Sequence, residues 1–386
     1  MKRIALVLLL ALSGAACGDD PPAMPDDAGL TDTGPDADAE EPDADVDEEP
    51  PCEPRFANED GSVFESLSEY CFFQGDLADH DPVDGVVAYD VTAPLYSDGS
   101  YKKRFIILPP GEHIGFSVDD RWTWPNQTII TKTFYYPHDE RDPDAGELIL
   151  ETRLLIKDDD RWTAQSYLWD DDQKEAWRHN LGRRVDVTYI DHDGEEVHVD
   201  YRIPNQNQCR TCHAQDGQMV PLGPRTFQLG EAYQRTPGAP SQLEVFADMG
   251  LFDQELPDLS TLPRITHYYD DSEPLEDRAR AYLDANCAHC HNPQGRANPS
   301  NLYLGIDVTN DRDLGICKRP VAAGTGAGGL SYSIVPGHPD ESIMIFRMNS
   351  LDPAIKMPEL PLTTIDHFGV ELVTDWIAAM DPTGCP

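Results

Sequence analysis

Two pentapeptides hold the residues most able to do chemistry: Cys209-Arg210-Thr211-Cys212-His213 and Cys287-Ala288-His289-Cys290-His291. Two thiols at i and i+3 can add across the two vinyl groups of one haem. The histidine that follows is then held under the ring to give its imidazole to iron. Each motif is therefore expected to attach one c-type haem covalently. The first would use Cys209, Cys212 and His213, and the second Cys287, Cys290 and His291. Zinc knuckles, redox dithiols and disulfides share the cysteine spacing. Zinc does not require a histidine directly after both pairs, and a thioredoxin-like dithiol belongs in a βαβ setting that is not visible here.

Iron has a sixth position as well. For the second motif the candidate is Met357, in Met357-Pro358-Glu359-Leu360-Pro361 just before the last helical pattern. A thioether is a soft ligand that favours Fe(II) and raises the potential, as an electron carrier needs. Met344 and Met348 fall on a helical stretch and read as core. For the first motif the distal candidates are Met219, Met249 and His267, and an open sixth position stands beside them. No catalytic residue follows from the sequence.

Five more cysteines remain. The chain opens with Lys2 and Arg3, an apolar run from Ile4 to Leu12, and Gly14-Ala15-Ala16-Cys17. This reads as a signal peptide (1–16) ending at a lipobox-like site, with Cys17 taking lipid. Cys52, Cys71, Cys317 and Cys385 are then an even number in an oxidising compartment, and the expected pairs are Cys52–Cys71 and Cys317–Cys385. Residues 17–51 hold fourteen acids with no base and no aromatic after Cys17. Such a segment cannot bury enough apolar surface to offset ordering, so it is expected to be an extended, disordered tether.

The elements that must position the motifs follow from periodicity. From Val86 to Ile203 the pattern has period two, rich in aromatic and β-branched residues and broken by turn clusters such as Pro109-Pro110-Gly111 and Asp191-His192-Asp193-Gly194. It predicts a β-rich domain over 52–204, antiparallel and sandwich-like. Residues 205–271 are loop-rich, with one helix near Gln242 to Met249, and form the first haem-binding segment. Over 272–386 the helical period takes over. Leu275, Ala279, Tyr282 and Leu283 share one face, and Phe368, Leu372, Val373, Trp376, Ile377 and Met380 share another. The fold class is thus α+β and multi-domain. The acidic triplets 158–160 and 170–172 read as solvated turns rather than calcium sites. Gly324 to Gly329 lacks the following Lys-Ser/Thr of a phosphate loop.

The segment 272–386 resembles a class I cytochrome c, in which a helix leads into CxxCH, a methionine loop follows, and a C-terminal helix crosses the first. More broadly, the chain resembles a family of exported dihaem c-type cytochromes with an N-terminal β-domain. The matching stretches include Ala93-Pro94-Leu95-Tyr96-Ser97-Asp98, Lys132-Thr133-Phe134-Tyr135-Tyr136-Pro137, Pro204-Asn205-Gln206-Asn207-Gln208-Cys209, the run from Arg278 to His291, and Met357-Pro358-Glu359-Leu360. The resemblance implies two haems and an exported location, and supplies no substrate.

Charge narrows the partners. The chain carries 71 acids against 29 bases, a net of −42. A basic face for phosphate is missing, which argues against nucleic acid. An acidic exported body suits a basic redox partner, with the membrane reached through the lipid on Cys17 and a periplasmic or cell-surface place, anchored at the outer membrane. The leading expectation is electron transfer outside the cytoplasm. The second is a dihaem peroxidase- or oxidase-like enzyme with an open first haem. The third is a binding module whose tryptophans (Trp122, Trp124, Trp162, Trp169 and Trp177) stack on a glycan or protein partner.

Overall fold

The computed structural model describes residues 52–386, apart from positions 322, 360, 361 and 383. The expected signal peptide, the lipidated Cys17 and the acidic tether lie outside the described residues. The period-two region forms one six-stranded antiparallel sheet in simple chain order. Its strands are β1 (Val86–Ala88), β2 (Tyr101–Ile107), β3 (Ile129–Pro137), β4 (Glu147–Asp158), β5 (Arg161–Trp169) and β6 (Ala176–Arg178). Alternation gives the sheet two faces. Phe105, Ile107, Ile129, Leu154 and Tyr167 pack with Phe64, Leu67, Tyr70 and Phe72. Ile106, Ile130 and Ala164 face the other way, onto Trp122, Trp124, Leu243 and Phe246.

A second, two-stranded sheet follows, β7 (Arg183–Ile190) paired antiparallel with β8 (Glu196–Ile203). Val187, Val199, Tyr201 and Ile203 of this hairpin pack on Phe134, Tyr136, Leu150 and Leu168. The sequence led us to expect a sandwich. What forms is one full sheet with a hairpin over part of it, because non-strand segments cover the rest of both faces. Trp122, Trp124, Trp162 and Trp169 are buried in these layers, whereas Trp177 is 55% exposed.

The C-terminal part is helical. Its main elements are α1 (Gln206–His213), α2 (Gln242–Asp248), α3 (Leu275–Leu283), α4 (Ile343–Met348) and α5 (His367–Ala379). Helices α3 and α5 pack through Ala279, Tyr282, Leu283, Leu372, Val373, Trp376 and Ile377. They approach closely at Gly369, where an added methyl would overlap the Tyr282 ring. The Tyr282 hydroxyl donates to Asp366 at the start of α5 (3.0 Å). Disulfides join Cys52 to Cys71 and Cys317 to Cys385. Two such bonds indicate a chain that folds outside the cytoplasm. Among the described residues no helix is long and apolar enough to cross a membrane.

The two regions meet at the loop 93–98. The Asp98 carboxylate is 2% exposed and accepts from the backbone N–H groups of Thr363 (2.8 Å) and Thr364 (2.9 Å). Both threonine hydroxyls donate to it as well, at 3.2 and 2.9 Å. Nearby, the Tyr96 N–H donates to Asn286 Oδ1 (2.8 Å), one residue before Cys287.

Candidate functional site

The first motif is carried on a helix of its own. Asn205 caps α1 by accepting from the Gln208 N–H, while the Gln208 side chain accepts from the Asn205 N–H. This reciprocal box satisfies two otherwise orphaned donors and starts the helix at the motif. The sequence pattern predicts one helix in 205–271, near Gln242 to Met249, and none at this motif. The Asn205-x-x-Gln208 spacing was the available signal. At the C-terminal end, His213 Nδ1–H donates to the Val220 carbonyl (2.9 Å).

The second motif follows α3 through one π-helical turn, Asp284–Ala288. The His291 N–H bonds back to the Cys287 carbonyl (2.9 Å). His291 Nδ1–H donates to the Leu302 carbonyl (3.2 Å). Both motif histidines thus spend Nδ1 on a backbone carbonyl, which sets the tautomer and leaves Nε2 with a free lone pair. Burial pushes each imidazole down to about 4, so both are neutral at pH 7. A neutral imidazole is the form that ligates metal.

The two motifs touch. The Cys290 thiol donates to the Thr211 carbonyl (3.6 Å), and the Gln215 side chain donates to the His289 carbonyl (3.1 Å). The ligand atoms of Cys212, His289 and Cys290 all lie within 4.8 Å of one another. A hydrogen bond with Cys290 pulls the Cys212 thiol well down and pushes that of Cys290 up. His289 Nδ1 is buried with no hydrogen-bond partner.

Each motif opens on a cavity. The first, of about 190 Å³, is bounded by Cys209, Cys212 and His213 on one side and by Ile130, Lys132, Phe134 and Arg153 of the sheet on the other. It is narrower than the usual ligand pocket of roughly 300–1,000 Å³. The second, of about 400 Å³, is bounded by Cys287, Cys290, His291, Met344, Met348 and Met357. Cys212, Asn286, His289 and Pro358 line both, so one residue of each motif stands in the shared wall.

Met357 lines the same cavity as His291, and its backbone N–H is fixed by the Arg347 carbonyl (3.0 Å). Met344 and Met348 of α4, read from the sequence as core, stand on that wall too. Of the three distal candidates for the first motif, Met219 pairs with Ala214, directly after His213. Met219 is 7% exposed and packed in the core beneath the sheet, and Met249 is 52% exposed at the end of α2. His267 stacks beside Tyr268 and Tyr269, with ring centroids 6.1 and 5.6 Å away. None of the three lines the first cavity.

A covalent haem fits these residues better than zinc does. Among the described residues, Cys212, His289 and Cys290 are the only cluster of three metal-capable side chains. They fall one short of a closed tetrahedral zinc set. That set would also take one cysteine from each pair and leave Cys209, Cys287, His213 and His291 unused. The haem assignment uses all six motif residues and gives the two anchored histidines a purpose. Comparison with protein-family models, with curated proteins and with solved structures gave no match.

Proposed function

We propose that this chain is an exported dihaem c-type cytochrome that relays single electrons between partners outside the cytoplasm. One observation carries the reading: two CxxCH motifs, 78 residues apart in sequence, meet through Cys212, His289 and Cys290. Bound there, haem would supply one-electron exchange between its ferric and ferrous states. The chain's own residues do the rest. Cys209, Cys212, Cys287 and Cys290 tether the two groups. His213 and His291 present Nε2, oriented by the Val220 and Leu302 carbonyls. Met357 is the distal ligand proposed for the second centre. In this reading 272–386 is a cytochrome c-like domain, Cys17 carries the lipid that anchors the protein at the outer membrane, and the acidic body docks a basic redox partner.

The test is production in a host competent in cytochrome maturation. The mass should rise by two porphyrins. Cys287→Ala with Cys290→Ala should remove one of them, and Cys209→Ala with Cys212→Ala the other. Colourless protein with no added mass would end the proposal. In the loaded protein, Met357→Ala should lower the potential of the second haem only, and no shift would move the distal role to Met344 or Met348.

A second reading follows from the lining of the first cavity, which includes none of the three distal candidates. If none of Met219, Met249 and His267 served there, that centre would keep an open position for a small substrate, as in a peroxidase-like enzyme. A high-spin ferric signal abolished by cyanide, together with turnover of peroxide, supports it; two inert low-spin haems reject it.

A further inference from the structure

Strand register sets a row of like charges across the wall of the first cavity. Arg104 of β2 pairs directly with Lys132 of β3, and Lys132 pairs directly with Arg153 of β4. Directly opposed like charges destabilise a sheet unless each finds a counter-charge. The outer two do. Arg104 bonds Asp90 (2.5 Å), and Arg153 makes a two-pronged contact with Glu151, its Nε at 2.8 Å from Oε2. Lys132, in the middle, has no hydrogen bond and no acid within ion-pair distance among the described residues; its ammonium lies 5.3 Å from the Phe134 ring.

Two further cations enter the same cavity from loops. Arg121 reaches only the Pro221 carbonyl. Arg225 lies over the Phe227 ring (5.4 Å), and its Nε is buried without a partner. Neither forms an ion pair among the described residues. Asp284, on the same wall, spends its Oδ1 on the Ile306 N–H (3.0 Å). The second cavity holds one acid-paired cation and two on backbone carbonyls. There Arg296 pairs with Glu359 (3.5 Å), Arg347 donates to Ile355 (2.8 Å) and Lys318 to Ser300 (2.6 Å). In a body as acidic as this one, three cations that make no ion pair among the described residues, with Asp284 the one carboxylate on their wall, point to a further anion that the polypeptide does not supply.

We propose that the first cavity is an oxyanion site, in which Lys132, Arg121 and Arg225 hold carboxylate or equivalent oxyanion groups. Arginine offers planar, paired donors to such groups, and lysine a point charge. This deepens the dihaem reading, because a haem on Cys209 and Cys212 would bring two carboxylates into this space. A free oxyanion has the same chemistry and is the other source.

The experiment uses the full chain in three versions, wild type, Lys132→Gln and Arg225→Gln, with Lys132→Arg as a charge-keeping control. Two readouts are taken. The first is the midpoint potential of the first haem. The second is the melting temperature during titration with inorganic phosphate. If the carboxylates belong to the haem, both Gln variants shift the ferric-to-ferrous ratio at fixed poise tenfold toward ferric, about 59 mV for one electron. Lys132→Arg stays near wild type, and phosphate does nothing. If the anion is free, phosphate raises the melting temperature of the wild type and of neither Gln variant. Gln variants that match the wild type in both readouts overturn the proposal. Should the wild type carry no porphyrin, the dihaem reading fails by itself, and the phosphate titration of that haem-free chain decides this inference alone: stabilisation of the wild type only supports it, and none overturns it.

Discussion

The two cavities share a wall, yet their other walls differ in kind. The first is closed by a β-sheet whose strand register sets charged side chains in a row. The second is closed by helices and a loop that present three methionines. A methionine-lined pocket would suit a centre that only exchanges electrons, since soft ligands favour the reduced metal. A cavity rich in unpaired cations suits a centre that must also hold an anion. The chain thus places two different environments within contact distance of one another, and each region can be perturbed while the other serves as its control.

The largest effect on folding is expected at the crossing of α3 and α5. Gly369→Ala drives a methyl into the Tyr282 ring. Overpacking of this kind costs typically 1–3 kcal/mol, and about 3 kcal/mol is expected where backbone meets ring. The loss should be local to the helical side. Hydrogen exchange should speed up in α3 and α5 while β3 and β4 keep their protection. Uniform loss across both regions would show that the two cavities are not built on separable supports.

Much of this division was legible in the sequence. The period-two run from Val86 to Ile203 announced the strands. The spacing of Leu275, Ala279, Tyr282 and Leu283, and of Leu372, Val373, Trp376 and Ile377, announced the crossing helices. These are local signals, set by 2.0- and 3.6-residue periods. The row Arg104–Lys132–Arg153 was not legible, because it depends on register between strands 21 to 28 residues apart. The contact between residues near 212 and near 290 was hidden for the same reason. Where Met249 and His267 fall was equally hidden, and neither lines the first cavity. The sandwich was over-read: alternation shows that a strand has two different faces, and does not say whether a sheet or a loop covers them.

An intermediate effect is expected at the seam. Asp98 accepts four hydrogen bonds from Thr363 and Thr364, beyond the Met357 loop. Its backbone φ is +53°, in the left-handed region that Asp and Asn tolerate. Asp98→Asn therefore keeps the turn and removes the charge. Hydrogen bonds to a charged acceptor contribute about 1.5–3 kcal/mol, so a loss of about 2 kcal/mol is expected in denaturant unfolding. Because the loop 93–98 lines the first cavity and Thr364 follows the second, both regions should lose protection together. A loss confined to one region would mean that Asp98 stabilises its own turn rather than the join.

The smallest effect near neutrality belongs to the far face of the sheet. His80 is 4% exposed; its Nδ1–H donates to the Ala78 carbonyl (2.8 Å), so Nε2 accepts from the Thr133 hydroxyl (3.0 Å). Thr133 in turn contacts Thr152 (2.7 Å), which accepts from the Trp169 indole (3.0 Å). The chain of donors ends on a neutral imidazole, and burial pushes that imidazole down to about 4 from an ordinary 6.5. The folded value lies below the unfolded one. Its stabilisation is therefore complete above pH 6.5 and is lost as pH falls toward 4, when the unfolded chain takes up a proton that the folded chain refuses. Between pH 7.5 and 6 the loss should be roughly 1 kcal/mol, and it should grow further toward pH 4. His80→Gln has no such proton to take up, so its stability should fall less steeply over that interval, with the difference confined to the sheet. Parallel pH profiles for wild type and variant would show that His80 is already charged in the folded chain, and its Nε2–H would then donate to Thr133 rather than accept from it.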